Sequence, residues 1–304
     1  MSKLFFELMQ VSVGQLDCVS RFPEPDEWRK FYELAKRHAV TGICYYGVTK
    51  LFDYGLVAPQ ELSLDWMAEA EHIKESNRGE TQRLITLQAE LQKHHLRSSI
   101  MTGPGLKRFY NRELQPLRYT KGIDLYVFGY KNQIDLKQWA DMHVRIFPEL
   151  RAGKSMKRNH KFEKWILQNN DLMFRQAGEL VVPSHSMTIV IEIVHIYNLF
   201  LEKQLTMRNL MDLFFLLRYS QGSEKIFKFA QTSVDGEIKE LGLTRFTRGL
   251  MWLLKEILNL DTKCMPVEPL EEEGQYLLSK IIGEGFTFHN WWHHLLHYTW
   301  HELT

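Results

Sequence analysis

The sequence is short of cysteine, of net charge and of long apolar runs. Its three cysteines, Cys18, Cys44 and Cys264, are widely spaced and form no CxxC pair. They make no disulfide framework and suit a reducing compartment. Lys and Arg number 38 against 37 Asp and Glu, a formal charge of +1. No whole-chain basic field points to nucleic acid or an anionic membrane, so any basic site has to be local. No stretch approaches the roughly 18 apolar residues of a membrane span. The opening MSKLFFELMQVSVGQ is broken by Glu7 and Gln10 and carries no small-residue cleavage site, so it does not read as a signal peptide. The expected location is cytoplasmic, with no membrane partner. No P-loop, Rossmann fingerprint or nucleophile elbow occurs, and no internal repeat or low-complexity linker.

What is present is a chain of 304 residues, 44% hydrophobic and 25% charged. That is enough for one large domain or two ordinary ones, with no need of disulfide or metal staples. Pro25 to Ala39 reads as a helix with Trp28, Phe31 and Ala35 on one face. Ile43 to Phe52 reads the same way. The stretch from about Glu61 to His95 reads as the longest helical run, bent at Gly79. The pattern changes at Arg97. Ser98 to Met101 is strand-like, Ile123 to Phe128 has strict strand character, and Trp139 to Ile146 is a third strand candidate. Helical patterns return at Phe162–Asn169, Met187–Lys203, Met207–Tyr219, Glu224–Thr232, Leu243–Leu258 and Glu271–Ile282. The expected class is α+β, mostly helical, with strands in the middle segment alone. The expected division is a helical region over 1–96, a core over 97–165 and a second helical region over 166–304.

Two features of the middle segment carry chemistry. Gly103-Pro104-Gly105 follows a strand and opens a helical turn. Glycines there let a backbone approach a ligand, and helical N–H groups can hold phosphate; a tight turn after a strand is the plainer reading. Asp124 lies inside an apolar strand, either at a sheet edge or aimed at a metal. Asp141 sits in the next strand candidate, followed by His143 and Arg145. Two carboxylates on neighbouring strands can share a hard cation such as Mg²⁺.

This order of a Gly-rich turn, a helix and two acidic strands resembles the core of the nucleotidyltransferase superfamily. More narrowly, the chain resembles a bacterial nucleotidyltransferase family, largely uncharacterised, of the Bacteroidetes type. Ala39-Val40-Thr41-Gly42-Ile43 is similar to its N-terminal helical signature. Met101-Thr102-Gly103-Pro104-Gly105 stands where the family has Leu-Lys-Gly-x-Gly. Arg118 to Asp124 is similar to its Arg-x-x-Gly-Asp-Ile-Asp strand, and Asp141 to Arg145 to its Glu-x-His-x-Arg strand. His195, Phe200 to Lys203 and Leu205 to Leu213 resemble its C-terminal helical signature. The resemblance implies a small mixed sheet flanked by helical regions. It implies Mg²⁺ held by Asp124 and Asp141, the catalytic pair. It also implies a nucleotide held by Gly103, Gly105, Lys107 and Arg118. The activity implied is transfer of a nucleoside monophosphate from an NTP to an unknown acceptor, whether small molecule, protein or RNA. The chain departs from the pattern at two positions. Gly122 stands where the family has its first metal aspartate, and Thr102 where it has lysine. The stretch between Asp124 and Asp141 is also shorter than the family's. The alternative is therefore a catalytically degenerate member, a pseudoenzyme that binds a nucleotide or a protein.

Two further clusters stand out. Arg151, Lys154, Lys157, Arg158, Lys161 and Lys164 make a locally basic segment. It is either a solvated loop entering a helix or a surface for an acceptor's phosphates or nucleic acid. His289, His293, His297 and His301 recur every four residues among Trp291, Trp292 and Trp300. This aromatic C-terminus reads as a packing or protein-partner helix rather than a metal site. His195 and Asp212 are expected to make helix–helix hydrogen bonds.

Overall fold

The computed structural model describes residues 3–120, 122–128, 144–147, 149–219 and 233–282. The Glu224–Thr232 helix, most of the third strand candidate, Asp141 and the C-terminal histidines lie outside them.

Helix α1 (Lys3–Ser12) buries Phe5, Leu8 and Met9. Helix α2 (Pro25–Arg37) starts with proline in its first turn, where a missing N–H costs nothing. Glu24 and Glu27 close a capping box there, and Trp28, Phe31 and Ala35 form the buried stripe. Helix α3 (Thr41–Leu51) follows. Its Gly42 lies so close to the backbone at Leu117 that a Cβ would sit 2.5 Å from the Leu117 carbonyl oxygen.

The expected long helix is two helices, α4 (Gln60–Asn77) and α5 (Glu80–Lys93). Arg78 is extended and Gly79 takes φ +77°, a left-handed conformation that glycine adopts without a Cβ penalty. The residue therefore ends one ladder and starts another rather than bending a continuous one. Trp66 on α4 is fully buried, and its indole N–H donates to the Thr41 carbonyl at 2.9 Å.

Strand β1 (Arg97–Ile100) and the one-turn helix α6 (Pro104–Lys107) lead to strand β2 (Ile123–Phe128). Strand β3 (Val144–Phe147) completes a three-stranded sheet in the order β1-β2-β3. β1 runs antiparallel to β2, and β3 runs parallel to it, so the sheet is mixed. Alternation along β2 sends Ile123, Leu125 and Val127 to a small core with Leu84, Leu91 and Val182. It sends Asp124 and Tyr126 to the opposite face.

Helix α7 (Met156–Gln168) and the short α8 (Asn170–Met173) precede a hairpin of β4 (Arg175–Ala177) and β5 (Leu180–Val182). The hairpin corrects the expectation that strands are confined to the middle segment. Gln88 of α5 ties it down: its amide nitrogen donates to the Ser98 and Val181 carbonyls, and its oxygen accepts from the Val181 N–H at 3.0 Å.

Helix α9 (His185–Leu201) is apolar on nearly every side and passes through the protein's interior. Helix α10 (Met207–Arg218) starts with a Thr206–Asn209 capping box. Helix α11 (233–240), α12 (Thr244–Leu258) and α13 (Glu271–Ile282) follow. One large core takes side chains from Leu4 on α1 to Leu277 on α13. The side-chain amide of Gln10 reaches the Ile257 carbonyl at 3.2 Å, so the first helix closes on the twelfth. The fold is mostly helical α+β.

Candidate functional site

A cleft of about 670 Å³ opens between the exposed face of β2–β3, the segment 149–154 and α9. Strand alternation brings Asp124 and Arg145 to its wall. Helical spacing places Glu192 and His195, three residues apart, on the facing side of α9. Arg151 and Lys154 line it from the loop before α7.

Asp124 is held from several directions. Its backbone N–H donates to the Thr102 hydroxyl at 2.9 Å, and its carbonyl accepts from the Met101 N–H at 2.8 Å. Thr102 thus anchors the strand through its hydroxyl. The parallel register sets Asp124 beside Arg145. Arg145 Nε donates to Asp124 Oδ1 at 2.7 Å, and Nη2 reaches the same oxygen at 2.7 Å. The Asp124 side chain is 10% exposed and that of Arg145 63%. The carboxylate is therefore an enclosed anchor, and the guanidinium faces the open cleft.

Among the described residues, the remaining expected site residues do not gather here. Gly103 and Gly105 are absent from the cleft lining. Both have packing reasons to be glycine. Gly103 has φ +61°, and a Cβ on Gly105 would lie 2.8 Å from the Ile100 carbonyl oxygen. Lys107 is half-buried behind the turn. Burial lowers its pKa, with Glu80 and Arg118 as its charged neighbours. Gly122 lines a separate recess of about 240 Å³ with Thr120, Arg78 and Arg83.

Arg118 is 1% exposed and points away from the cleft. Its Nε and Nη2 grip the two oxygens of Asp212 at 2.6 and 2.7 Å. Tyr110 donates its hydroxyl to Asp212 Oδ1 at 2.6 Å. Burial opposes the Arg118 charge, but Asp212 beside it raises its pKa. Burial and then Asp212 push the Tyr110 phenol up. Asp212 thus joins α10 to the loop before β2 rather than to another helix.

Of the six basic residues at 151–164, two line the cleft, Arg151 and Lys154. Arg158 is buried, donating to the Leu241 carbonyl at 2.8 Å and lying over the Tyr197 ring. Lys161 donates to the Glu240 carbonyl. Asn198 fixes the cleft-lining part of the loop. Its oxygen accepts from the Gly153 N–H at 2.7 Å, and its nitrogen donates to the Arg151 carbonyl at 2.8 Å.

Glu192 was not singled out by the sequence reading. It is 1% exposed, lines the cleft, and its Oε1 has no hydrogen-bond partner. Burial, then Asp212, raise its pKa well above the usual carboxylate range. The available signal was a lone carboxylate inside the apolar run Met187 to Tyr197. Burial also lowers the His195 pKa, against the pull of Asp124. Burial thus favours the neutral form of both the Glu192 carboxyl and the His195 imidazole, beside one ion pair.

The Glu192 shift has a pH signature. A carboxyl whose folded pKa is raised contributes full stability below the ordinary carboxylate value. That contribution is lost as pH rises toward the folded value, at about 1.4 kcal/mol per pH unit. Glu192→Gln keeps the shape without the titration. The variant is expected to gain on wild type progressively from about pH 5 upward in thermal denaturation. A gap that stays constant with pH would show that Glu192 is charged in the folded protein.

Among the described residues, which do not include Asp141, the implied Mg²⁺ fits poorly. Gly122 offers no ligand, and Asp124 has an arginine on its carboxylate. Among the described residues no group of three or more His, Cys, Asp or Glu side chains is arranged to hold a metal ion. Among them, too, no helix is long and apolar enough to cross a membrane. No family model, curated protein or solved structure matches this chain.

Proposed function

We propose that this is a nucleotidyltransferase-type protein that binds a nucleotide in the β2–β3/α9 cleft and has lost the usual two-metal transfer chemistry. The observation that carries this reading is the state of Asp124. It faces the cleft from the strand after the Gly-rich turn, yet its carboxylate is neutralised by Arg145. The cleft's size and mixed lining suit a ligand of nucleotide dimensions, for which pockets of roughly 300–1,000 Å³ are usual.

Thermal denaturation with each NTP, with and without Mg²⁺, tests it. A nucleotide at about 100 times its Kd adds about 2.7 kcal/mol, a rise of several degrees. Lys154→Glu, at the cleft lining, is expected to abolish the rise. Stabilisation by no nucleotide would sink the reading.

A second reading keeps the transfer of a nucleoside monophosphate to an unknown acceptor. It is favoured by Asp124, the member of the expected carboxylate pair that lies among the described residues, which lines the cleft. Its mark would be Mg²⁺-dependent pyrophosphate release from an NTP by wild type, abolished in Asp124→Asn.

A further inference from the structure

The poor fit to a divalent ion and the good fit to an anchored guanidinium point the same way. We infer that Arg145 acts as a metal-free phosphate receptor, doing in this cleft what a bound cation does in a metal-dependent nucleotide site. The inference deepens the nucleotide-binding reading and rests on it for the location of the ligand.

The geometry gives three reasons. First, both Arg145 contacts to Asp124 fall on a single oxygen, Oδ1, at 2.7 Å. The rest of the guanidinium fork keeps its donors, and with the side chain 63% exposed they are presented to the cleft. An arginine held by one carboxylate oxygen has lost much of its rotamer freedom before any ligand arrives, which lowers the entropic cost of binding. Planar forks of this kind match phosphate oxygens in pairs.

Second, the other cations are held on a fixed loop. Asn198 of α9 bonds the backbone at both Arg151 and Gly153, and Asn159 accepts from the Ala152 N–H at 2.7 Å. Gly153 has φ +73°, and a Cβ there would meet the Tyr197 ring at 2.8 Å. Arg151 and Lys154 are therefore carried by a backbone with little freedom.

Third, the carboxylates leave the phosphate position available. Asp124 is paired with Arg145 and buried, and Glu192 is buried with its Oε1 unpartnered; burial raises its pKa and favours the protonated form, which can donate to a ligand oxygen. Glu149 and Glu202 also line the cleft but are exposed, where solvent screens them. Charges in the cleft nearly cancel, so recognition rests on the fork's directed hydrogen bonds more than on a long-range field.

The test uses the full chain and two probes, inorganic tripolyphosphate and an NTP, titrated calorimetrically in EDTA and again in Mg²⁺. Wild type is expected to bind both in EDTA. Arg145→Gln is expected to weaken binding about 10- to 100-fold, the usual worth of a charge-assisted hydrogen-bonded contact. Arg145→Lys retains the charge without the fork and is expected to recover part of the loss. Asp124→Asn weakens the anchor of the guanidinium without removing it and is expected to reduce binding in EDTA by less than Arg145→Gln does. Binding seen in Mg²⁺ alone, lost in Asp124→Asn and unchanged in a folded Arg145→Gln, would overturn the receptor and leave the nucleotide reading standing. Tripolyphosphate binding through Arg145 with no NTP binding would leave the receptor standing and overturn the nucleotide reading. Binding of neither probe under either condition would overturn both.

Discussion

Replacing Asp212 with alanine is expected to remove about 3–5 kcal/mol of folding stability, a fall in Tm on the order of 10 °C. The carboxylate itself is not the source of that figure. Breaking the pair strands the Arg118 guanidinium, 1% exposed, in a place where water cannot replace its partner. Tyr110 loses its acceptor at the same time. The triple variant Arg118→Met, Asp212→Leu, Tyr110→Phe removes every partner together and is expected to recover most of the loss, because a buried ion pair often contributes little net stability over apolar packing. Chemical denaturation of the single and triple variants measures both. If Asp212→Ala cost under about 1 kcal/mol, the pair would have to be hydrated in solution.

Trp66→Ala is expected to cost a similar about 3–5 kcal/mol, for a different reason. The indole is fully buried on α4 and lies 5.4 Å from the Tyr32 ring, tilted against it. Truncation leaves a cavity between α4 and α3 and removes the donor to the Thr41 carbonyl. Trp66→Phe keeps part of the volume and should lose markedly less. Equal losses from the two variants would assign the effect to the hydrogen bond rather than to packing.

The two cases show where the sequence was legible. Trp66 sits in a long three-four pattern, and the helices, the Ile123–Phe128 strand and the mostly helical α+β class follow from such patterns. Period alone could not show where that pattern is interrupted. The Arg78–Gly79 break depends on a single φ, and a glycine in a helical run is compatible with either a bend or a stop. The hairpin was illegible for a simpler reason: strands of three residues do not establish a period. Helix α1 gave little contrast, because apolar side chains cover most of its circumference.

The site was legible in part. Asp124 and the basic pair Arg151 and Lys154 were visible as residue types in a suggestive order. Their partners were not, since the Asp124–Arg145 pair depends on a parallel register across the segment 129–143. Arg118 matched a motif but is taken up by a residue 94 positions away. The glycines of the turn were conspicuous, yet packing against Ile100 and Ile123 already requires them to be small. Glu192 was hidden by its own surroundings, an apolar helix that hydropathy reads as core.

The closure of α1 on α12 has a consequence for biosynthesis. Gln10 and its acceptor at Ile257 are separated by 247 residues. At roughly 5–20 residues per second, α1 leaves the ribosome about 10–50 s before the helix it finally packs against. During that interval α3 is the neighbour already made, and the face that α12 will cover stays open to other chains and to chaperones. The nascent protein therefore exposes this face of α1 to misassociation during that interval, and slowing translation between residues 51 and 258 should lower its soluble yield more than slowing it after residue 258.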